Sequence, residues 1–426
     1  MNVVVVGAGK MGLPLACQFA HNGACVTVCD IRERAVDAIN RDEYPIDEPG
    51  VPELLSEAVG MGRLKASTDT SAAASQAEAI IVLVPVLLTS ENDADLSIVE
   101  SVSGQIASGL RAGAMVSYET TLPVGTTRRL AAILSSNGLA AGRDFDLVYS
   151  PERVKSQLVL HHLTRNAKVV GGFTPQAAER AAAFYGRYLG APVINVGSLE
   201  AAEMVKLAGM VYRDVNIAVA NEIARYAEAT GVDLHAIVPA INSDGEAALL
   251  DPGIGVGGHC APIYPYFMIR DAERRMVDTA LTRLARATND GQAAWCIERL
   301  ERIWMPLKDR DVLILGLGFR PQVKEHICSS SFLIGAELRK RGAHPLLHDP
   351  LYSDDEIRGH GFAPFRLDAP ELPPAMVLST AHEVYAKLDF HDLARRGLRA
   401  AVDGRALWQP DEVRSAGIAY IGVGRP

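Results

Sequence analysis

Short apolar runs recur along the chain, each closing on a glycine or proline turn that opens into residues with helical spacing. Residues 3–6 are all valine, 24–29 lead into Asp30, and 79–84 read Ala-Ile-Ile-Val-Leu-Val before Pro85; 115–117, 146–149, 168–171 and 192–196 continue the series. Unbroken apolar runs of this length predict strands buried on both faces, and their alternation with helical stretches predicts a mostly parallel sheet between helices. At Ser198 the pattern changes. Ser198 as N-cap, Glu200 and Glu203 near the positive end, and Gly231 just past the last periodic residue predict one helix of about 30 residues, long enough to act as a spine and to offer a dimer surface. Further helices are expected over 233–240 and roughly 277–304. Beyond Pro306 the alternation returns, with strands over 312–316, 345–348, 376–379 and 400–402 and a helix over 330–342. The expected fold is α/β. Two Rossmann-like doubly wound domains, 1–197 and 305–426, flank a central helical domain, 198–304, that holds the long spine helix.

Three loops carry candidate chemistry. The first is Gly7-Ala8-Gly9-Lys10-Met11-Gly12, a G-x-G-x-x-G set between a strand and a helix, with the acidic Asp30 about 20 residues on at the end of the next strand. Gly7 makes the tight turn, Gly9 lets a pyrophosphate approach the helix N-terminus, and Gly12 lets helix pack on strand. With Met11 inside the turn, Pro85 and Thr121 at neighbouring strand ends, and Arg32 beside Asp30, these are the candidate cofactor contacts. A carboxylate at Asp30 favours NAD over NADP, whose 2′-phosphate would meet a like charge.

The second loop is 253–260, Gly-Ile-Gly-Val-Gly-Gly-His-Cys. So dense a glycine run suits neither helix nor strand interior, so it reads as a loop of close backbone approach that presents Cys260, with Gly257 and Gly258 next to a substrate. A flexible surface loop with an incidental cysteine stands beside that reading. The third is the turn 316–320, Gly-Leu-Gly-Phe-Arg, which lacks the dinucleotide fingerprint. Arg320 there and Arg405 after another strand are candidate phosphate ligands of the second lobe. Glu152 follows a strand at the ligand edge of the first sheet, and Lys206 and Met210 lie one turn apart on the spine helix.

Composition narrows the partners. The chain has 426 residues, 48% hydrophobic and 22% charged, with a formal net charge of −9. That acidity disfavours a nucleic-acid partner. The six cysteines show no CxxC metal spacing and read as free thiols of a reducing, cytoplasmic compartment. No secretory leader or membrane-spanning run is evident, so neither a membrane nor a metal is expected.

Taken together, the first lobe with Asp30, Pro151-Glu152-Arg153, Lys206, the Gly-Val-Gly-Gly-His-Cys loop at 255–260 and Asp403-Gly404-Arg405 resemble, in that order and over essentially the whole chain, the nucleotide-sugar 6-dehydrogenase family (UDP-glucose, UDP-N-acetylmannosamine and GDP-mannose dehydrogenases). The resemblance implies NAD in the N-terminal lobe, a nucleotide sugar in the C-terminal lobe and a homodimer built on the central helix. It implies that Cys260 adds to an aldehyde at C6, that Lys206 stabilises oxyanions or handles the alcohol proton, and that Glu152 is a general base or holds a water.

The sequence also departs from the family's pattern. Met210 stands where the family has asparagine and Tyr264 where it has aspartate. Glu246 or a neighbour replaces an arginine that reaches the other subunit, Lys155-Ser156-Gln157 replaces Leu-Pro-Gly, and 324–329 replaces Asp-Asp-x-Arg-Glu-Ser, while Arg320 replaces a lysine. Loss of the amide and the carboxylate removes groups used after the first oxidation. The expectation is therefore oxidation of a C6 hydroxyl that halts after one two-electron step at an aldehyde or ketone. The alternatives are full four-electron oxidation to a uronic acid through a Cys260 thioester, a redox-neutral NAD-dependent epimerase, or a non-catalytic nucleotide-sugar binder.

Overall fold

The computed structural model describes residues 1–43 and 47–426. They divide into two compact units, Met1–Gly209 with Tyr266–Met276, and Met210–Pro265 with Val277–Pro426.

The first unit is built on an eight-stranded sheet of β1 (Asn2–Val6), β2 (Cys25–Cys29), β3 (Leu64–Ser67), β4 (Ala79–Val82), β5 (Met115–Tyr118), β6 (Asp146–Tyr149), β7 (Lys168–Gly172) and β8 (Val193–Ser198). The order is β3-β2-β1-β4-β5-β6-β7-β8. It reverses between β1 and β4, and that switch point opens a crevice at the strand C-termini. The β-branched runs read from the sequence are the buried interior strands; Val3, Val5, Val28 and Ile81 share one core with Phe19, Phe184 and Tyr185 of the covering helices. β7 runs antiparallel to β6, the one antiparallel pair in the otherwise parallel sheet. The run 79–84 leaves the sheet at Val82, because Val84 turns aside to donate its N–H to Thr120 Oγ1. β3 was not expected, since Leu-Lys-Ala-Ser merely alternates, as an edge strand does.

The second unit carries a six-stranded sheet of β9 (Asp311–Leu315), β10 (His344–His348), β11 (Ala363–Pro364), β12 (Ala375–Leu378), β13 (Ala400–Asp403) and β14 (Ala419–Gly422). Its order, β11-β10-β9-β12-β13-β14, repeats that of the first six strands of the other sheet, and every pair is parallel. β11 and β14 were not anticipated; a two-residue strand ending in proline gives no periodic signal. The expected helix over 277–304 is two, Ala280–Asp290 and Gln292–Ile303, parted at Gly291, and Tyr264–Arg274 is a further helix that the sequence did not announce.

The long helix Leu199–Ala229 is unbroken, and the boundary between the units falls within it. Its ends follow the local chemistry. Ser198 Oγ accepts from the Ala201 N–H, and Gly231 takes the left-handed φ of +73° that closes the helix. Among the described residues no helix is long and apolar enough to cross a membrane.

Candidate functional site

At the switch point of the first sheet the glycine turn is shaped by three different constraints. Gly7 has φ +110°, and a Cβ there would run into the Leu83 carbonyl; a Cβ at Gly12 would strike the Gly7 carbonyl. Gly9 instead is exposed and faces open space, with nothing within 4 Å of the position its Cβ would take. The turn therefore leaves a cradle at the start of helix Gly12–His21, where peptide N–H groups attract an anion. Met11 caps that helix and packs partly against the core. Asp30, just after β2, accepts from Ala8 N at 2.9 Å and is gripped by Arg32, whose Nε lies 2.9 Å from Oδ1 and Nη2 3.0 Å from Oδ2. Burial opposes its ionisation, yet the Arg32 and Ala8 hydrogen bonds outweigh it and hold the carboxyl below the usual range. Thr120 Oγ1 bonds both N–H and C=O of Val84, which ties the turn before exposed Pro85 to the loop holding buried Thr121. These residues fit a dinucleotide: an open glycine, a helix start that no side chain caps and an acid at ribose distance along the chain.

Further along the same edge the structure brings Lys206 and Glu152 together. Lys206 Nζ sits 2.5 Å from the Glu152 carbonyl oxygen and 3.5 Å from its carboxylate, and both side chains are largely shielded, 5% and 16% exposed. Glu152 also accepts from the Val154 N–H, which bends its carboxylate back over its own loop. It lines a small cleft with Glu119, His162 and Lys168.

Cys260 belongs to the second unit, where its loop is built rather than slack. Gly258 N donates to the Ile327 carbonyl at 2.9 Å, and a Cβ at Gly257 would sit 2.5 Å from Phe319 Cβ. Gly258 has φ +100° and abuts the Phe319 ring, so both glycines are required. The loop passes through half-buried Cys260 into helix Tyr264–Arg274, with Tyr264 N donating to the Cys260 carbonyl. Arg405 holds the other end: Nη1 on Gly255 O at 3.1 Å, Nη2 on Ser330 Oγ at 3.1 Å and Nε on Ser379 O at 2.7 Å. It was expected as a phosphate ligand; here it ties the thiol loop to the second sheet. Arg320, its expected companion, lies over the ring of Phe319.

Several polar residues at these loops escaped the sequence reading. Glu119 and Lys168 form a buried pair at 2.5 Å, joined by Tyr185 Oη on Glu119 at 2.8 Å; burial pushes the Glu119 carboxyl up against the pull of Lys168. A lysine heading the apolar run Lys-Val-Val-Gly-Gly was the available signal. Glu48 accepts from Gln157 N and Val159 N and so fixes the segment after Glu152. Glu203, read only as a favourable charge near a helix start, is fully buried. In the second unit Arg286 pairs with Asp214 at 2.5 Å and reaches the carbonyl of Ala261, next to Cys260.

Comparison with known proteins agrees with this geometry. The sequence models of the UDP-glucose/GDP-mannose dehydrogenase family match in order: its NAD binding domain at residues 1–189, its central domain at 200–291 and its UDP binding domain at 313–410. The UDP-N-acetyl-D-mannosamine dehydrogenase of Pyrococcus horikoshii is 30% identical over 100% of this chain and 99% of its own. The NDP-N-acetyl-D-galactosaminuronic acid dehydrogenase of Ralstonia solanacearum is 30% identical over 95% and 96%. The solved structure of the P. horikoshii UDP-D-ManNAc dehydrogenase superposes with a TM-score of 0.89 at 29% identity, covering 100% of this chain and 99% of that one. The chain belongs to the UDP-glucose/GDP-mannose dehydrogenase family and is an NAD-dependent enzyme that oxidises a nucleotide sugar.

Proposed function

We propose that the enzyme oxidises the C6 hydroxyl of a UDP-linked N-acetylhexosamine through to the uronic acid, with Cys260 as the covalent nucleophile. The observation that supports this most directly is the thiol loop, in which Gly257, Gly258 and Arg405 together hold a half-buried cysteine that a single oxidation would not use. The names of the relatives point the same way, one of them to a uronic acid, and lend no support to a reaction that ends at the carbonyl, to an epimerase or to a passive binder.

NAD, exchanged between the two oxidations, would take one hydride at each, so that two NADH form per substrate. Gly7, Gly9, Met11 and Gly12 would cradle its pyrophosphate, Asp30 with Arg32 would meet the adenosine ribose, and Pro85 and Thr121 would flank the nicotinamide side. Lys206 places its ammonium where the C6 alkoxide and later oxyanions develop, and Glu152 takes the hydroxyl proton. Once the aldehyde has formed, the Cys260 thiolate adds to C6; loss of the second hydride leaves a thioester. A water held by Glu152 attacks that carbonyl, the C–S bond breaks, and carboxylate and thiolate are released. Gly257 and Gly258 give the sugar backbone-close access, and Arg320 holds the diphosphate. Arg405 contributes by fixing the loop, with its phosphate contact a second task.

Met210 and Tyr264, lacking the amide and the carboxylate, favour a second reading in which the carbonyl is the product. NADH formed per substrate consumed decides between them. The expected ratio is two with a carboxylate product, falling to one with an aldehyde in Cys260→Ala. A ratio of one with a carbonyl product in the wild type would overturn the four-electron reading.

We place the enzyme in the cytoplasm, in keeping with six free thiols, and as a homodimer. Tyr212, Val219 and Tyr226 recur every seven residues on the long helix and are 64%, 45% and 72% exposed, an apolar stripe suited to a second copy. Sedimentation should give twice the chain mass of 45.6 kDa; a monomer at micromolar concentration would remove the dimer.

A further inference from the structure

Glu203 lies one turn before Lys206 on the long helix, on the same face, and is 0% exposed. Its carboxylate leaves its own helix entirely. Oε2 accepts from Gly125 N at 2.5 Å, and Oε1 accepts from Thr127 N at 2.8 Å and Thr127 Oγ1 at 2.6 Å. Those donors open helix Thr126–Leu134, whose N-cap, Gly125, has φ +88°. An acid at that place satisfies otherwise orphaned N–H groups and meets the positive end of the helix dipole.

The loop that Glu203 closes is the one that begins at Thr120. At its start Thr120 is bonded to Val84, so the two turns at the cofactor edge are already joined. At its end Glu203 is the buried tie to the long helix, beside the exposed Arg128–Glu200 pair. That helix in turn holds Lys206, which is bonded to Glu152. The links run without a gap from the Val84 turn through Thr120, the 120–125 loop and Glu203 to Lys206 and Glu152. A buried carboxylate is a costly choice for a purely structural tie, and burial pushes this one up to about 7, against the pull of its three donors.

We propose that Glu203 is a positioning residue: its buried carboxylate fixes the 120–125 loop, which flanks the nicotinamide, to the turn of helix that carries Lys206, so that hydride acceptor and ammonium address one C6–O bond. This rests on the reading above that Lys206 acts on the alcohol and that Thr121 lies at the cofactor. It leaves the affinity for each ligand largely to other residues, and it acts on geometry, where a misplacement of about 1 Å can cost on the order of 100-fold in rate.

The test compares Glu203→Gln, Thr127→Val, their double variant and Arg128→Ala. Glu203→Gln keeps the shape but turns an amide NH2 towards N–H donors. It is expected to lower kcat by about 10- to 100-fold while the Kd for NAD, read by calorimetry, and the KM for the sugar stay within about threefold. Thr127→Val removes one of the three donors and should cost about threefold, with the double variant no slower than Glu203→Gln alone. Arg128→Ala breaks the exposed Arg128–Glu200 pair between the same two helices and should leave kcat unchanged. A Glu203→Gln enzyme with wild-type kcat overturns the proposal, as does one in which kcat, NAD affinity and thermal midpoint all fall together, or an Arg128→Ala enzyme that loses kcat to the same extent. Lys206→Ala separates the two levels. If it retains full activity the underlying reading fails; if it is inactive while Glu203→Gln is normal, only the positioning role does.

Discussion

The two sheets share one strand order and nearly one set of turns, yet they treat the end of their second strand in opposite ways. Gly7 after β1 and Gly316 after β9 both take positive φ, +110° and +97°, and each donates its N–H to the last carbonyl of the neighbouring strand, Cys29 and His348, at 2.8 Å. An aspartate follows each neighbour, Asp30 and Asp349. Asp30 takes two amides, Ala8 N and the exposed Arg32 N, and is otherwise met by the Arg32 side chain, 56% exposed. Asp349 is consumed internally: Leu317 N at 2.6 Å, Gly318 N at 3.1 Å, Leu351 N at 2.8 Å and His382 Nε2 at 3.3 Å, with both acid and imidazole fully buried. The glycine turns differ to match. Gly9 faces open space, whereas a Cβ at Gly318 would meet Val323 O at 3.1 Å, because residues 319–325 fold back over the turn. A doubly wound sheet offers a ligand edge in both cases. Whether a dinucleotide can use it depends on whether the chain has already spent the aspartate and filled the turn.

The largest expected effect that sharpens this contrast is loss of stability in Asp349→Ala. Three amides would lose their acceptor, at about 1–3 kcal/mol each when buried, so destabilisation on the order of 3–5 kcal/mol is expected in chemical denaturation, with NAD Kd unchanged. Hydrogen bonds outweigh the burial of Asp349 and hold its carboxyl below the usual range. A depressed folded pKa contributes stability above the unfolded value, about 3.9, and loses it as pH falls through the folded one. The gap between wild type and Asp349→Asn should therefore be full at neutral pH and close in acid below about pH 4. A stability gap that persisted there would mean the charge of Asp349 is not what holds the turn.

Much of this was legible in the chain itself, for reasons that also mark the limit. The valine run 3–6, the fingerprint 7–12 and Asp30 are local signals read against a known turn geometry, and the ends of the long helix at Ser198 and Gly231 are set by caps a few residues away. What could not be read are pairings made by folding. Nothing near Glu203 shows that it reaches Gly125, 78 residues back, and nothing near Lys168 shows that it meets Glu119. Arg405 carried the right charge for a phosphate, and the carbonyls of Gly255 and Ser379 that it also serves come to it only in the folded chain. Helix Tyr264–Arg274 was hidden by a start, Tyr-Pro-Tyr-Phe, whose proline suits a first helical turn as well as it suits a loop.

The complementary change, Asp30→Ala, is expected to do little to the fold and more to the cofactor. Only one buried amide, Ala8 N, loses its partner, so the cost in stability should stay within about 1–2 kcal/mol. For NAD the loss of charge-assisted bonds to the ribose, about 1.5–3 kcal/mol, corresponds to a Kd roughly 10- to 150-fold weaker. The same substitution releases Arg32. Its guanidinium, now clasped by the carboxylate through Nε and Nη2, becomes available to a 2′-phosphate, and the like charge that repelled that phosphate is gone. NADP binding should therefore improve while NAD binding weakens, and the ratio of the two Kd values should move towards NADP. Calorimetry with both cofactors on Asp30→Ala and Asp30→Ala/Arg32→Ala reads this directly: the double variant should lose the NADP gain and keep the NAD loss. If Asp30→Ala bound NAD as the wild type does, while Asp349→Ala lost it, the open turn of the first sheet would not be where the adenosine end of the cofactor is read.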